Sequence, residues 1–249
     1  MQESQHHWGN LGFWLPTTKG YCDAARGLAA RLGEAARLGP EDRVLLVGFG
    51  YGEEIGFFRE NFGVKEIYGV EKDPKRVAAA QKKWQGVAGV RLYRGEGVFL
   101  QLEGFFDKIL VLDAAYHFRQ KKAFFLYCQK LLKKDGLLCL NDLLLEKESK
   151  SLSLRCLSPL MSIPLLNWQT LHSYKKDLLK AGLYLAQVED QTKNVLEGFA
   201  GFMAQNSSQR RDFAMTHGQL KPYATKNAIL RLRKSDGIRY AMMVIKKAF

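Results

Sequence analysis

Cysteine is scarce in this chain and scattered. The four thiols, Cys22, Cys128, Cys139 and Cys156, show no metal-ligand spacing, so no metal site is expected and a reducing cytoplasm is the simplest home. No basic-then-apolar start precedes His6, so the sequence carries no sign of a signal peptide. Long hydrophobic runs are missing too. The longest, near Gly136 to Leu145, is interrupted by Asn141 and Asp142 and is too short to span a bilayer. Composition breaks, low-complexity stretches and internal repeats are absent, which leaves residues 1–249 as one domain with enough apolar residues for a sizeable core.

Acidic residues are in deficit. The 38 Lys and Arg outnumber 25 Asp and Glu, a formal charge of +13, and residues 201–249 hold ten of the basic residues against Asp212 and Asp236. Such a balance suits nucleic acid, an anionic membrane surface touched peripherally, an acidic substrate, or merely a solvated basic face. No RNA-binding module motif accompanies the charge, which disfavours nucleic acid. Nothing in the sequence sets an oligomeric state.

What is present is organised around Arg43 to Glu54. Val44 to Val47 is a short apolar run expected of a strand buried on both faces, and Gly48-Phe49-Gly50-Tyr51-Gly52 follows it directly. Glycines there let a ligand lie against the backbone beside the N–H groups of a helix starting near Glu53. About twenty residues on, Glu66 to Glu71 reads as a second strand ending in a carboxylate, and Asp73-Pro74 opens a helix. An acid at that tip takes ribose hydroxyls, and Glu71 is the candidate. A dinucleotide turn needs Gly-x-Gly-x-x-Gly, and that spacing fails here. Glu53 and Glu54 would also oppose two phosphates, whereas a cofactor with an amino group and a sulfonium tolerates them, which points to S-adenosylmethionine.

Further elements follow the same plan. Val90 to Tyr93 is a third strand with Glu96 at its tip, placed to accept an adenine amino group, and Phe106 to Leu112 is a fourth, ending in Asp113-Ala114-Ala115-Tyr116-His117. Gln120 to Lys134 is expected as a helix, and Leu137 to Leu140 as a fifth strand that delivers Asn141 and Asp142 to the crevice edge. Residues 146–170 lack one period and suit a cap. Leu171 to Ala181 and Asn194 to Gly218 read as helical, Leu183 to Val188 as a strand, and Ile238 to Ile245 as the last, at the sheet edge.

With these motifs in place, the chain resembles a class I S-adenosylmethionine-dependent methyltransferase from about Trp8 to Phe202. Leu46-Val47-Gly48-Phe49-Gly50-Tyr51-Gly52 stands where the family has Asp-Val-Gly-Cys-Gly-x-Gly, and Leu46 replaces an acid that helps hold the methionine amino group. Gly69-Val70-Glu71 is similar to the ribose motif, and Gly95-Glu96-Gly97 to Gly-Asp-Ala. Phe106 to Phe118 and Leu131 to Leu138 resemble the small-molecule branch (type 11; sterol, tocopherol and sugar O-methyltransferases), as does Asn10-Leu11-Gly12-Phe13-Trp14. The resemblance implies an α/β Rossmann-like fold with seven mostly parallel strands in order 3-2-1-4-5-7-6, the last antiparallel, and helices on both faces. It implies cofactor contacts from Gly48, Phe49, Gly50, Gly52, Glu71, Lys72, Glu96, Gly97 and Asp113. The product is S-adenosylhomocysteine and the acceptor a small, hydrophobic or aromatic metabolite.

A hydroxyl nucleophile must lose its proton, a task suited to histidine. His117 is the candidate base, with Asp142 orienting it across the crevice as in the family's sugar enzymes. Trp8 and Trp14, in the opening segment 1–20, are candidates for closing the site, with Tyr21 and Tyr116 as pocket-lining side chains. Against these stand plainer roles: a strap packed on the core, a histidine that caps a helix, and tyrosines that pack. A nucleic-acid methyltransferase and a cofactor-binding member of the fold that transfers no methyl group are the rival readings.

Overall fold

Strand β1 (Arg43–Val47) lies at the centre of the sheet because both of its faces are apolar. Val44 and Leu46 pack into one core and Leu45 and Val47 into another on the opposite face. The computed structural model describes residues 7–96, 102, 104–149, 151–205 and 221–248. On one side of β1 lie β2 (Glu66–Glu71) and then β3 (Val90–Arg94); on the other lie β4 (Phe106–Val111) and β5 (Leu132–Leu145). All these pairings are parallel. The two-residue β6 (Gln169–Thr170) adds to the end of β5. Strand β7 (Leu183–Asp190) pairs antiparallel with β8 (Ile238–Lys247), which itself runs antiparallel beside β5. The order is therefore β3-β2-β1-β4-β5-β8-β7, as expected, with β6 as an additional short strand.

Helices cover both faces. Helix α1 (Tyr21–Ala36) buries Ala24, Ala25, Leu28, Leu32 and Ala36, the stripe visible in the sequence, and ends at Arg37 in the left-handed conformation. It shares its core with α2 (Glu53–Phe62) and α3 (Pro74–Lys83). Asp73 caps α3 by accepting the N–H groups of Lys75 and Arg76, with Pro74 at the first helical position. On the other face, α4 (Lys121–Leu131) and α6 (Leu171–Lys180) bury Phe124, Phe125, Tyr174 and Leu178. Helix α5 (Leu152–Leu160) rises from the 146–170 stretch, capped by Ser151. After a π-helical turn at Lys193–Glu197 come α7 (Gly198–Gln205) and α8 (Lys221–Asp236), and α8 packs on both α5 and α7. The sequence pattern does not predict α8, and the part of the expected helix at 206–218 lies outside the described residues. No helix among the described residues is long and apolar enough to cross a membrane.

Two element ends differ from expectation. The fifth strand does not stop at Leu140 but continues to Leu145, and α4 ends at Leu131 rather than Lys134. Asn141 and Asp142 interrupt the apolar run, yet both are fully buried in mid-strand, opposite Met242 and Ala241 of β8. Polar residues inside a strand imitate its end when their partners lie on other elements.

Candidate active site

A cavity of about 440 Å³ opens at the carboxyl ends of β1, β2 and β4, within the size range of small-molecule sites. Its floor is the turn after β1. Gly48 and Gly50 sit at φ +84° and +56°, and a Cβ on Gly50 would meet nothing within 4 Å, so the backbone there is open to a ligand. The turn is seated by Phe49, whose ring presses on Gly69 of β2: a Cβ at Gly69 would lie 2.6 Å from it. Only glycine fits that close approach.

Glu71 ends β2 as expected and is held rigidly. One oxygen accepts the Gly50 N–H at 3.1 Å, and the other accepts the N–H groups of Lys72 and Asp73 at 2.9 and 3.0 Å. Both Glu71 and Lys72 line the cavity, with Glu96 at the tip of β3. Gly97 lies outside the described residues. Gly52 does not line the cavity; its left-handed backbone caps α2 instead.

Asp113 faces the cavity, but its carboxylate is engaged by protein. In the left-handed region at φ 53°, it accepts the Leu11 N–H at 2.6 Å on one oxygen and the hydroxyls of Tyr116 and Tyr240, both at 2.7 Å, on the other. Burial raises its pKa against the pull of those three donors. Burial, then the Asp113 charge, likewise hold the Tyr116 and Tyr240 phenols well above their ordinary value. Asp113 thus fastens the opening segment, whose Gly9, Asn10 and Leu11 form part of the wall.

The aromatic closers are a correction. Trp8 and Tyr21 are buried, and neither they nor Trp14 line the cavity. Trp14 stacks on Phe202 at 4.5 Å and donates its indole N–H to the Leu11 carbonyl, while the Tyr21 hydroxyl meets the carbonyls of Trp8 and Asn10. These rings brace the segment from behind. Tyr116 does line the cavity.

His117 closes a short turn after β4 and also lines the cavity. Its Nδ1 lies 2.9 Å from the Ser162 carbonyl. A carbonyl can only accept, so Nδ1 carries the proton and Nε2 is the basic nitrogen of the neutral ring. The expected pairing with Asp142 is not made. Asp142 accepts from Lys121 Nζ at 2.7 Å, from the Tyr174 hydroxyl at 2.9 Å and from the Leu143 N–H. Side chains alternate along a strand: Leu143 lines the cavity, so Asp142 faces away, towards α4 and α6.

An apolar side and one further carboxyl group complete the wall. Leu143, Leu160, Met161, Ile163, Leu196 and Ile229 form an apolar side contributed by β5, the α5 region, the π-helical turn and α8. Glu54 is the carboxyl group. Glu53 is bound by Lys83 at 2.9 Å and accepts the His7 N–H, whereas Glu54 lines the cavity. Burial, with the charges of Glu71 and Glu53, pushes the Glu54 carboxyl up to about 8, despite its own backbone N–H and Arg76. Among the described residues no group of three or more His, Cys, Asp or Glu could hold a metal, and all four cysteines are free thiols.

These donors fit an adenosyl cofactor with a cationic end. An open glycine turn abuts a fixed carboxylate at the β2 tip, and the carboxyl groups of Glu54, Asp73, Glu96 and Asp113 line the cavity beside the cations Lys72, Arg76 and Arg119. Comparison with known proteins agrees. Residues 45–140 match the family described as a methyltransferase domain, type 11. The chain is 33% identical over 201 residues to erythromycin 3''-O-methyltransferase of Saccharopolyspora erythraea, a match covering 76% of this chain and 65% of that relative, so just under two thirds of the relative's length. A solved structure of a putative sarcosine dimethylglycine methyltransferase from Galdieria sulphuraria superposes with TM-score 0.76 at 18% identity, over 97% of this chain and 93% of that one. Geranyl diphosphate C-methyltransferase of Streptomyces coelicolor, solved with S-adenosyl-L-homocysteine, gives TM-score 0.75 at 13% identity, over 98% and 94%. Strand order, glycine turn, matched domain and relatives converge: the fold is that of the class I methyltransferases, residues 45–140 match their methyltransferase domain, and the cofactor they support is S-adenosylmethionine.

Proposed function

We propose that this protein methylates a hydroxyl oxygen of a small, largely apolar metabolite, with His117 as the general base. The observation that carries the reading is one cavity whose acidic glycine-turn end adjoins His117 and an apolar wall. Bound at that acidic end, S-adenosylmethionine supplies an electrophilic methyl carbon and leaves as a neutral thioether. The turn at Gly48, Phe49 and Gly50 would hold the cofactor, with Glu71 as acceptor for its ribose hydroxyls and Glu96 for its adenine amino group.

Leu143, Leu160, Met161 and Ile163 exclude water and bind the body of the acceptor; residues 146–170, with α5, serve as the cap. The proton on the acceptor hydroxyl passes to His117 Nε2 as the oxygen attacks. Ser162 fixes the ring through Nδ1 and so takes the orienting part first assigned to Asp142. Preference for oxygen is supported by the activity in the name of the Saccharopolyspora relative.

The test is turnover of His117→Ala against a panel of hydroxylated apolar acceptors. A general base contributes about 10²- to 10⁴-fold, so kcat is expected to fall about 100-fold or more while S-adenosylhomocysteine binds as in the wild type. Unchanged turnover would remove His117 from the chemistry.

A further inference from the structure

The resemblance leaves one contact unfilled. The acid that holds the methionine amino group in the family is Leu46 here, and Leu46 is buried in the core with Val44 and Phe49. A cationic amino group buried without a carboxylate would be poorly held.

We infer that Glu54 takes over that contact, forming the ion pair with the α-amino group of the cofactor's methionine moiety. The inference rests on the cofactor reading above and names the residue that makes it work in this chain. Glu54 is on the first turn of α2, directly after the glycine turn, and lines the cavity. Its neighbour Glu53 is neutralised by Lys83; among the described residues no side chain forms an ion pair with Glu54. Its charge reaches groups on two other elements. It bears on Glu71, the ribose carboxylate, and also on Tyr21, whose phenol is raised first by burial and then by Asp113, Cys22 and Glu54. Glu54 therefore lines the same cavity as the ribose carboxylate Glu71 and the turn of Asp113, along which the remainder of an elongated cofactor must run.

Without a cation the carboxyl holds its proton near neutral pH; a cation in hydrogen-bond reach would ionise it. The charged and titratable groups that bear on Glu54 are Glu53 on its own helix, Glu71 on β2, Arg76 on α3 and Tyr21 on α1. Of these only Arg76 is a cation, and it does not bring the carboxyl into its ordinary range.

The experiment is calorimetric titration of the full chain with S-adenosylhomocysteine and with its analogue lacking the α-amino group, on wild type, Glu54→Gln and Glu71→Ala. A charge-assisted hydrogen bond corresponds to roughly tenfold or more in affinity. The wild type should prefer the amino-bearing ligand by at least that factor. Glu54→Gln should abolish the preference and leave the analogue's affinity unchanged, whereas Glu71→Ala should weaken both ligands alike. A preference that survives in Glu54→Gln overturns the inference and leaves the cofactor reading standing. Wild type that binds neither ligand overturns that reading itself. A second measurement needs no variant. At pH 7, in buffers of different ionisation enthalpy, S-adenosylhomocysteine should displace close to one proton from the wild type and the analogue none; equal proton release with both overturns the assignment.

Discussion

Three carboxylates at the cavity wall differ by what donates to them. Glu71 accepts three backbone N–H groups and is held as a rigid acceptor. Asp113 accepts one N–H and two phenols and serves as a fastener. Glu54 has neither arrangement, and its protonation is set by burial, which has a consequence for stability in the ligand-free protein. Its carboxyl titrates at about 8 when folded and near 4.5 when unfolded. Between those values the folded chain holds more protons than the unfolded one, so this group's contribution to stability falls as pH rises from 4.5 to 8. Glu54→Gln removes that dependence. Its melting temperature should be close to the wild type's at pH 5 and exceed it at pH 8.5, by roughly 10 °C or more if the whole shift is expressed, on the usual scaling for a chain of this size. An equal offset at both pH values would show that Glu54 is not held protonated by the fold.

Strand β5 illustrates how an element can be found and its ends misread. The apolar residues Leu137 to Leu140 identified it, but pattern alone assigned Asn141 and Asp142 to the crevice edge, because a buried carboxylate announces itself only through a partner distant in sequence. That partner is Lys121 on α4, 95% buried, aided by Tyr174 on α6. Together they fasten β5 to the helices that bracket it, and α4 follows directly on the loop of His117, Phe118 and Gln120 at the cavity wall. Removing one member of a buried pair leaves an uncompensated charge and costs about 3–5 kcal/mol. Lys121→Met is expected to lower stability by about that amount in denaturant titration. Adding Asp142→Leu should recover most of it, since replacing both members by apolar groups is often neutral. If the double variant is no more stable than the single one, the pair is not an isolated unit and the Tyr174 hydroxyl carries more of the contact.

For the whole molecule, the parts legible in sequence are those governed by local rules. The glycine turn, the acid closing β2 and the Asp73-Pro74 helix start follow from periodicity and turn chemistry, the strand order follows from the resemblance to the class I family, and the structure reproduces them. The opening segment was legible as aromatic-rich but not in the direction its rings face: Trp8 and Trp14 turn inward, and the backbone of Gly9 to Leu11 meets the cavity instead. The apolar wall was not legible because it joins Leu143, Met161, Leu196 and Ile229, residues from four elements that meet only in the folded chain. A cavity assembled from so many separate segments couples ligand binding to global stability. A ligand at 100 times its dissociation constant stabilises the folded state by about 2.7 kcal/mol, which for a chain of this length raises the melting temperature by roughly 5–10 °C. S-adenosylhomocysteine should give that shift with wild type and lose it with Glu71→Ala. Hydrogen exchange should then slow in residues 9–11 and 48–51, which line the cavity, more than in β7, which contributes nothing to it. Uniform slowing across the sheet would indicate stabilisation without occupation of this crevice.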